Sequence, residues 1–290
     1  MQRIPRSQFD LLHYPFYYPC LWPQCPSTVA IHDVLVIEHP EWFPRAWATF
    51  TRSLLRRGAE RADSVVTGSE VVASAIESLA RVPRQRIVVI PYGVDPAIFA
   101  PPNAARTETV REKFALRRPF LLQVGAFEPR RGVGLAIQAM QVIRAEIGNV
   151  ELVLVGDARS PVSSLDAAPH FVRRLGRVGD FDLAALYGAA SVVIAPSFGE
   201  GFDLPVLEAI ACGSVVVASD IPAHVEHFAG FVELFESQRA ESLADACVRV
   251  LTDSGRAATL RERGPQRASK FSWAASARRH VELWKMITGL

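Results

Sequence analysis

The chain has 290 residues, 49% of them hydrophobic and 21% charged. That suits a soluble globular protein with room for two domains, each with its own core, and excludes a disordered chain. Thirty-two Lys and Arg against thirty Asp and Glu leave a net charge of +2, so charge gives no steer toward a polyanion and no nucleic acid partner is expected.

The four cysteines, Cys20, Cys25, Cys212 and Cys247, make neither a disulfide framework nor a zinc site, and a reducing compartment is the default. No stretch reads as a signal peptide and no apolar run approaches a membrane span. A cytoplasmic protein is expected.

A polar segment, Met1 to Gln8, precedes a short strand over Phe9 to His13, an aromatic and proline-rich loop from Tyr14 to Pro26, a strand over Thr28 to His32 and a loop from Asp33 to Glu41. From Trp42 to Arg61 the period is helical, with Phe43, Trp47, Phe50 and Leu54 on one face and Arg45, Arg52 and Arg56 opposite. That basic face reads as solvated, or as resting on anionic lipid. Strand Ser64 to Thr67, a helix over Ser69 to Ala80 that Ser69 can cap, and strand Ile87 to Pro91 follow. Pro91 to Asp95, continuing through Phe99 to Pro101-Pro102 and a polar run through Thr107, reads as a domain exit.

A second alternation then begins: strand Phe120 to Val124, turn Gly125 to Gly132, helix Leu135 to Ile147 and strand Glu151 to Val155. Asp180-Phe181-Asp182 has the form of a metal-binding Asp-x-Asp but opens a helix after Gly179, where acidic residues complement the dipole. His224-Val225-Glu226-His227 matches neither protease zinc spacing and reads as structural. Three amphipathic helices close the chain, near Ser237 to Asp253, Gly255 to Ser269 and Phe271 to Ile287. The expected organisation is α/β, with domains over 1–104 and 105–270 and a last helix over 271–290.

The most informative stretch is Ala195 to Asp220, A-P-S-F-G-E-G-F-D-L-P-V-L-E-A-I-A-C-G-S-V-V-V-A-S-D. Strand Ser191 to Ile194 feeds a Gly-flanked loop, then a helix opening near Leu204-Pro205 and stopping at Gly213, then a β-branched strand over Ser214 to Ala218. Unpaired N–H groups at a helix N-terminus, set at the carboxyl end of a parallel strand, bind anions. Glu200 and Glu208 border that turn and suit vicinal hydroxyls on either side of a phosphate, although a solvated loop charge and a solvated helix residue would read the same way. Arg130 and Arg131 follow a strand at the same sheet edge and match phosphate oxygens, or form a solvated basic turn.

P-S-F-G-E-G-F-D-L-P-V-L-E-A-I-A-C-G resembles the Glu-x7-Glu signature of the retaining glycosyltransferases of family 4, which have the GT-B fold. L-L-H-Y-P at His13, Ile31-His32-Asp33, H-P-E-W-F at His39 to Phe43, R-A-D-S-V-V-T-G-S-E and P-Y-G-V-D resemble the back half of that family's N-terminal domain. The resemblance implies two Rossmann-like domains facing a cleft, the first without its leading strands and their glycine-rich loop. A sheet without those strands exposes an edge and an apolar face that need cover, so a misplaced start, a fragment of a longer chain or a covering partner is expected.

It further implies transfer of a hexose from a nucleotide-diphosphate sugar, GDP-mannose or a UDP-sugar, to a glycan or lipid-linked acceptor. Retention by same-face attack is expected, with no metal or other cofactor, and H-P-E-W-F hints at mannose. The rival expectation is a catalytically impaired nucleotide-sugar-binding or partner protein.

By resemblance Glu208 holds the ribose hydroxyls, Glu200 and the backbone N–H groups of Phe202, Asp203 and Leu204 hold sugar and phosphate, and Arg130 and Arg131 receive the diphosphate charge. Arg131 stands where the family usually has lysine, and Ala126 where some members have arginine. His13 borders the donor sugar and Asp33 contacts the acceptor. Asp203 replaces the family's glycine and is expected to cap the helix with its side chain, competing with phosphate.

Overall fold

The computed structural model describes residues 9–17, 25–157, 165 and 168–290. The segment Met1 to Gln8, much of the loop from Tyr14 to Pro26 and the Cys20 half of the Cys20/Cys25 pair lie outside them. The chain forms two compact units. One comprises residues 1–93, 200–202 and 272–290, the other residues 94–199 and 203–271.

The first unit carries a four-stranded parallel sheet in the order β1-β2-β3-β4, formed by Leu12–Tyr14, Ser27–Ala30, Ser64–Thr67 and Ile87–Val89. Ser69 caps helix α3 (Glu70–Ala80), its Oγ accepting from the Val72 N–H. That fixes where the helix leaves β3, as its serine predicts. The last helix of the chain, α11 (Trp273–Thr288), belongs to this unit, with Leu283 buried against Val66 and Ile90.

Three sequence expectations change here. The segment after Asp33 is not all loop: α1 (Leu35–Glu38) and a 3₁₀ turn over Pro40–Trp42 occupy it. One turn with Leu35, Val36 and Ile37 all buried leaves no amphipathic period to detect. Helix α2 (Arg45–Arg61) buries Ala48, Thr51, Leu55, Gly58 and Ala59, whereas Trp47 is 38% and Phe50 62% exposed. The buried stripe lies about 100°, one residue step, from the aromatic one. Small side chains admit the close approach to α1 and α3 that aromatic rings would block. Finally, the polar run through Thr107 is a helix, α4 (Ala104–Lys113), opened by Asn103, whose side chain accepts from the Arg106 N–H.

The second unit is a six-stranded parallel sheet in the order β10-β9-β8-β5-β6-β7. The strands are β5 (Phe120–Val124), β6 (Glu151–Val155), β7 (Val172–Gly176), β8 (Val192–Ala195), β9 (Val216–Ser219) and β10 (Glu233–Phe235). The connecting helices are α5 (Val133–Ile147), α6 (Asp180–Ala189), α7 (Leu204–Ala211), α8 (Pro222–Phe228), α9 (Ala240–Thr252) and α10 (Ser254–Ala268). Leu121, Leu152, Leu154, Val192 and Ile194 from the central strands pack with Met140 and Leu243 in its core. These near-continuous apolar runs are those of strands covered on both faces. Among the described residues the first sheet runs in one direction, β1 to β4, whereas the second is doubly wound, its strand order reversing in the middle.

Candidate active site

In the second sheet the chain runs outward from β5 to β6 and β7, and in the opposite direction from β8 to β9 and β10. The strand order therefore reverses between β5 and β8, and the carboxyl ends of those neighbours are where an open α/β sheet binds ligands.

Two turns leave there. After β5, Gly125 at φ +134° begins a reversal that passes through a 3₁₀ turn, Pro129–Arg131, to Gly132 at φ +67°. A Cβ on Gly132 would lie 2.1 Å from the Pro196 carbonyl oxygen, so the first turn rests directly on the chain leaving β8. The Phe198 N–H donates to the Arg130 carbonyl at 2.8 Å. Arg130 itself donates from Nε to Glu128 at 2.9 Å and from Nη1 to the Gly199 carbonyl at 3.3 Å. The Arg131 carbonyl accepts from Gln123 Nε2 at 2.7 Å, which places a buried amide of β5 under the turn. Arg130 is thus held by its side chain to the Gly199 carbonyl and Arg131 by its main chain to Gln123, which a freely solvated basic turn would not be.

Helix α7 starts at Leu204, with Pro205 in its first turn and no intrahelical acceptor for the leading N–H groups. The side chain of Asp203 does not cap it, contrary to expectation. Asp203 adopts the left-handed conformation (φ +73°, ψ +78°), where a non-glycine residue is disfavoured by roughly 1–2 kcal/mol. Its carboxylate is buried, 2.9 Å from His224 Nε2 and 3.7 Å from Arg131 Nη1. It is engaged in the interior and does not compete with an anion for the helix N–H groups. Burial opposes its ionisation, but hydrogen bonding to His224 and the charge of Arg131 outweigh that and hold it below the usual aspartate range.

Glu208 lies one turn further along α7, half-buried, and accepts from the Tyr187 hydroxyl at 3.2 Å. Burial pushes its pKa up to about 7, the Tyr187 hydrogen bond opposing and the Asp203 charge adding to the shift. A carboxylate poised at neutrality, within hydrogen-bonding reach of one partner and still partly accessible, is the kind of group found at functional sites.

The first unit gathers the remaining sequence-predicted residues. His13 on β1 has Nδ1 2.8 Å from Thr28 Oγ1 and rings of His280 and Trp284 at 5.8 and 5.3 Å. Burial, then the neighbouring His280 and His32, lower its pKa, so it is a neutral imidazole at pH 7. Asp33 accepts from the Leu35 N–H at 3.1 Å and so opens α1. Residues 200–202 lie against it: a Cβ on Gly201 would stand 1.9 Å from the His32 carbonyl oxygen and 3.2 Å from Asp33 Cβ. Ser69 Oγ donates to the Gly201 carbonyl at 2.8 Å, and Phe202 is buried with its ring 5.1 Å from Tyr92. Glu200, half-buried, is thereby delivered beside Asp33 by a backbone contact that only glycine permits.

Four contributors escaped the sequence reading. Tyr187 and His224 hold Glu208 and Asp203 from α6 and α8. His32 and Tyr92 pair at 2.6 Å in the first unit, His32 Nε2 donating to the Pro15 carbonyl so that Nδ1 accepts from the Tyr92 hydroxyl. Only P-Y-G-V-D carried a signal for Tyr92. Of the motifs set aside, Asp180 and Asp182 do open α6, and Asp182 pairs with Lys113 at 2.6 Å.

Residues 1–98 match the Glycosyltransferase Family 4 model and residues 118–253 the Glycosyl transferases group 1 model. The chain is a family 4-like glycosyltransferase. The transferase is 27% identical over 280 residues to the O-antigen chain mannosyltransferase B of Escherichia coli, covering 94% of this chain and 73% of the relative. It is 25% identical over 233 residues to the serotype-specific mannosyltransferase WbdA of Escherichia coli, covering 77% of this chain but 29% of that protein. Among solved structures, Anabaena Alr3699/HepE in complex with UDP-glucose superposes with a TM-score of 0.79 at 22% identity, covering 91% of this chain and 73% of that one. At that identity the likeness speaks for the GT-B fold of the transferase.

Proposed function

We propose that this transferase moves a hexose, most specifically mannose, from a nucleotide-diphosphate sugar to a glycan or lipid-linked acceptor with retention of anomeric configuration. The observation that carries the reading is the switch point of the second sheet, where Arg130 anchored to the Gly199 carbonyl, Arg131 on the turn that Gln123 holds, a helix N-terminus and Glu208 meet. Mannosyltransferases among the relatives support the sugar, and UDP-glucose bound by the Anabaena structure supports the donor class.

In this reading Glu208 accepts from the ribose diol. Arg130, Arg131 and the leading N–H groups of α7 take up the charge that grows on the departing diphosphate. These fixed positive groups do that work without a metal ion. Phe202 and Glu200 hold the donor sugar, His13 contacts it as a neutral imidazole, and Asp33 receives the acceptor. No carboxylate is nominated as a covalent nucleophile. The acceptor hydroxyl attacks the face the diphosphate leaves, a C–O bond forms as the C–O bond to phosphate breaks, and the departing phosphate oxygen takes the hydroxyl proton.

The test is nucleotide release from GDP-mannose and UDP-glucose, with product anomericity read by NMR, together with calorimetry on both donors. Glu208→Ala is expected to weaken nucleotide binding and Glu200→Ala to lower turnover with nucleotide affinity retained. Equal loss of free-nucleotide affinity in both variants would refute the division of roles, and an inverted product would refute retention.

A further inference from the structure

His224 lies outside every role assigned above. It is fully buried on α8, a short helix that follows β9, and both of its ring nitrogens meet acceptors. Nδ1 lies 2.8 Å from the Ser219 carbonyl oxygen, and Nε2 lies 2.9 Å from Asp203 Oδ2. A carbonyl oxygen never donates, so Nδ1 carries a proton. A second proton sits between Nε2 and the carboxylate. Arg131 and Arg130, both facing Asp203, favour the anionic carboxylate and hence the proton on nitrogen. The charged or titratable groups around the ring are therefore Asp203 from the head of α7, the two arginines from the turn after β5, and His227 from its own helix.

We infer that His224 is a buried imidazolium that serves as the counter-ion of Asp203, a positioning residue that keeps this acidic side chain from drawing on Arg131 at the diphosphate site. The Asp203–His224 pair is neutral as a unit, so an acid can occupy the left-handed position at the head of α7 without subtracting positive charge from the switch point. Asp203 Oδ1 and Gln123 Oε1 have no hydrogen-bond partner among the described residues. Both residues border a cavity of about 10 Å³, about the room of one water. The carboxylate is therefore aimed into the interior on both sides, one oxygen at His224 and the other at this cavity beside Arg131.

The inference rests on the donor-site reading above, and the test separates the two. Nitrogen NMR of the wild-type protein at neutral pH is expected to show both His224 ring nitrogens protonated. Titration with GDP and with UDP is expected to show His224→Gln binding about 10-fold more weakly than wild type. Asp203→Asn in the His224→Gln background is expected to recover most of that loss, since it removes the uncompensated carboxylate and asparagine tolerates the left-handed conformation.

A role limited to packing would leave the double variant no better than the single one. An unprotonated ring nitrogen at neutral pH overturns the inference without involving nucleotide, as does His224→Gln binding with unchanged affinity or a double variant that is not rescued. Wild-type protein that binds neither nucleotide overturns the donor-site reading, and the Arg131 part of this inference with it. The NMR measurement needs no variant, so a misfolded His224→Gln protein does not protect the idea.

Discussion

If Glu208 accepts from the ribose diol as a carboxylate, donor binding must carry its titration. With its pKa pushed up to about 7 by burial, Glu208 is about 90% ionised at pH 8 and about 10% at pH 6. Binding that demands the ionised form therefore weakens by about tenfold between those limits, a difference of about 1.4 kcal/mol. The sugar donor is the right probe, because both of its phosphates are esterified and neither titrates in this range, whereas the terminal phosphate of a free diphosphate does so near pH 6. Calorimetry of GDP-mannose and UDP-glucose at half-unit steps should give affinity falling toward acid in the wild type and a flat profile in Glu208→Gln. Tyr187→Phe removes the hydroxyl that donates to Glu208 at 3.2 Å and favours its charged form. The inflection should then move to higher pH. A flat wild-type profile, or Glu208→Gln binding as tightly as wild type at pH 8, would refute the assignment of the ribose to this carboxylate.

The same raised pKa makes a stability statement of opposite sign. The folded state holds the Glu208 proton from the ordinary glutamate value of 4.5 up to about 7 while the unfolded chain has lost it. The wild type thus loses stability as pH rises through that window, by about 3 kcal/mol, and Glu208→Gln should raise the melting temperature of the apo protein at pH 8 and change it little at pH 4. Gly201→Ala pushes a methyl to 1.9 Å from the His32 carbonyl oxygen. We expect a cost of about 1–3 kcal/mol by chemical denaturation and a larger loss of turnover than of nucleotide affinity, since residues 200–202 and Asp33 must separate. Tyr92→Phe leaves His32 Nδ1 without its donor and should cost about 1–3 kcal/mol, read as a shifted denaturation midpoint with an unchanged slope.

The central strands of the second unit, β5, β6, β8 and β9, were legible because they are buried apolar runs punctuated by glycines that the backbone requires. Gly132 and Gly213, at φ +67° and +71°, are two of them. The partly exposed V-R-R-L-G of β7, the three-residue β10 and the one-to-two-turn α8 carried no such signal. The first unit was harder. A helix whose buried stripe is Ala48, Thr51, Leu55, Gly58 and Ala59 shows a weaker hydrophobic contrast than its exposed aromatics, so the larger residues misdirected the assignment of its face. The site residues that sequence could nominate were those in turns, Arg130, Arg131 and Glu200, and the carboxylate a turn into the helix, Glu208. Those it could not nominate, His224 and Tyr187, act from elements remote in sequence, and nothing in the spacing of His224 to Asp203 announces a contact across 21 residues.

The switch point is built with polar groups where apolar packing would have been the simpler solution, and the reason lies in what must converge there. Three strand ends and two turns meet with backbone groups that no sheet ladder satisfies. Ser219 Oγ donates to the Ser197 carbonyl at 2.6 Å, Gln123 to the Arg131 carbonyl, and His224 to the Ser219 carbonyl. Ser219 ties the end of β9 to the turn leaving β8, Gln123 braces the turn leaving its own strand β5, and His224 ties α8 back to β9. The Phe198 N–H to Arg130 carbonyl bond joins the β8 and β5 turns, so β5, β8 and β9 are cross-linked at the edge where an anion is to be held. Buried donors and acceptors of this kind are costly when left half-satisfied and rigid when satisfied. A preorganised anion site gains from that rigidity, because groups already fixed toward a developing charge need not reorganise when it appears. The left-handed Asp203, uncapping and strained by itself, is then explained as one tie in this network: its carboxylate links the head of α7 to α8 through His224, at the cost of a backbone conformation that glycine would have adopted freely.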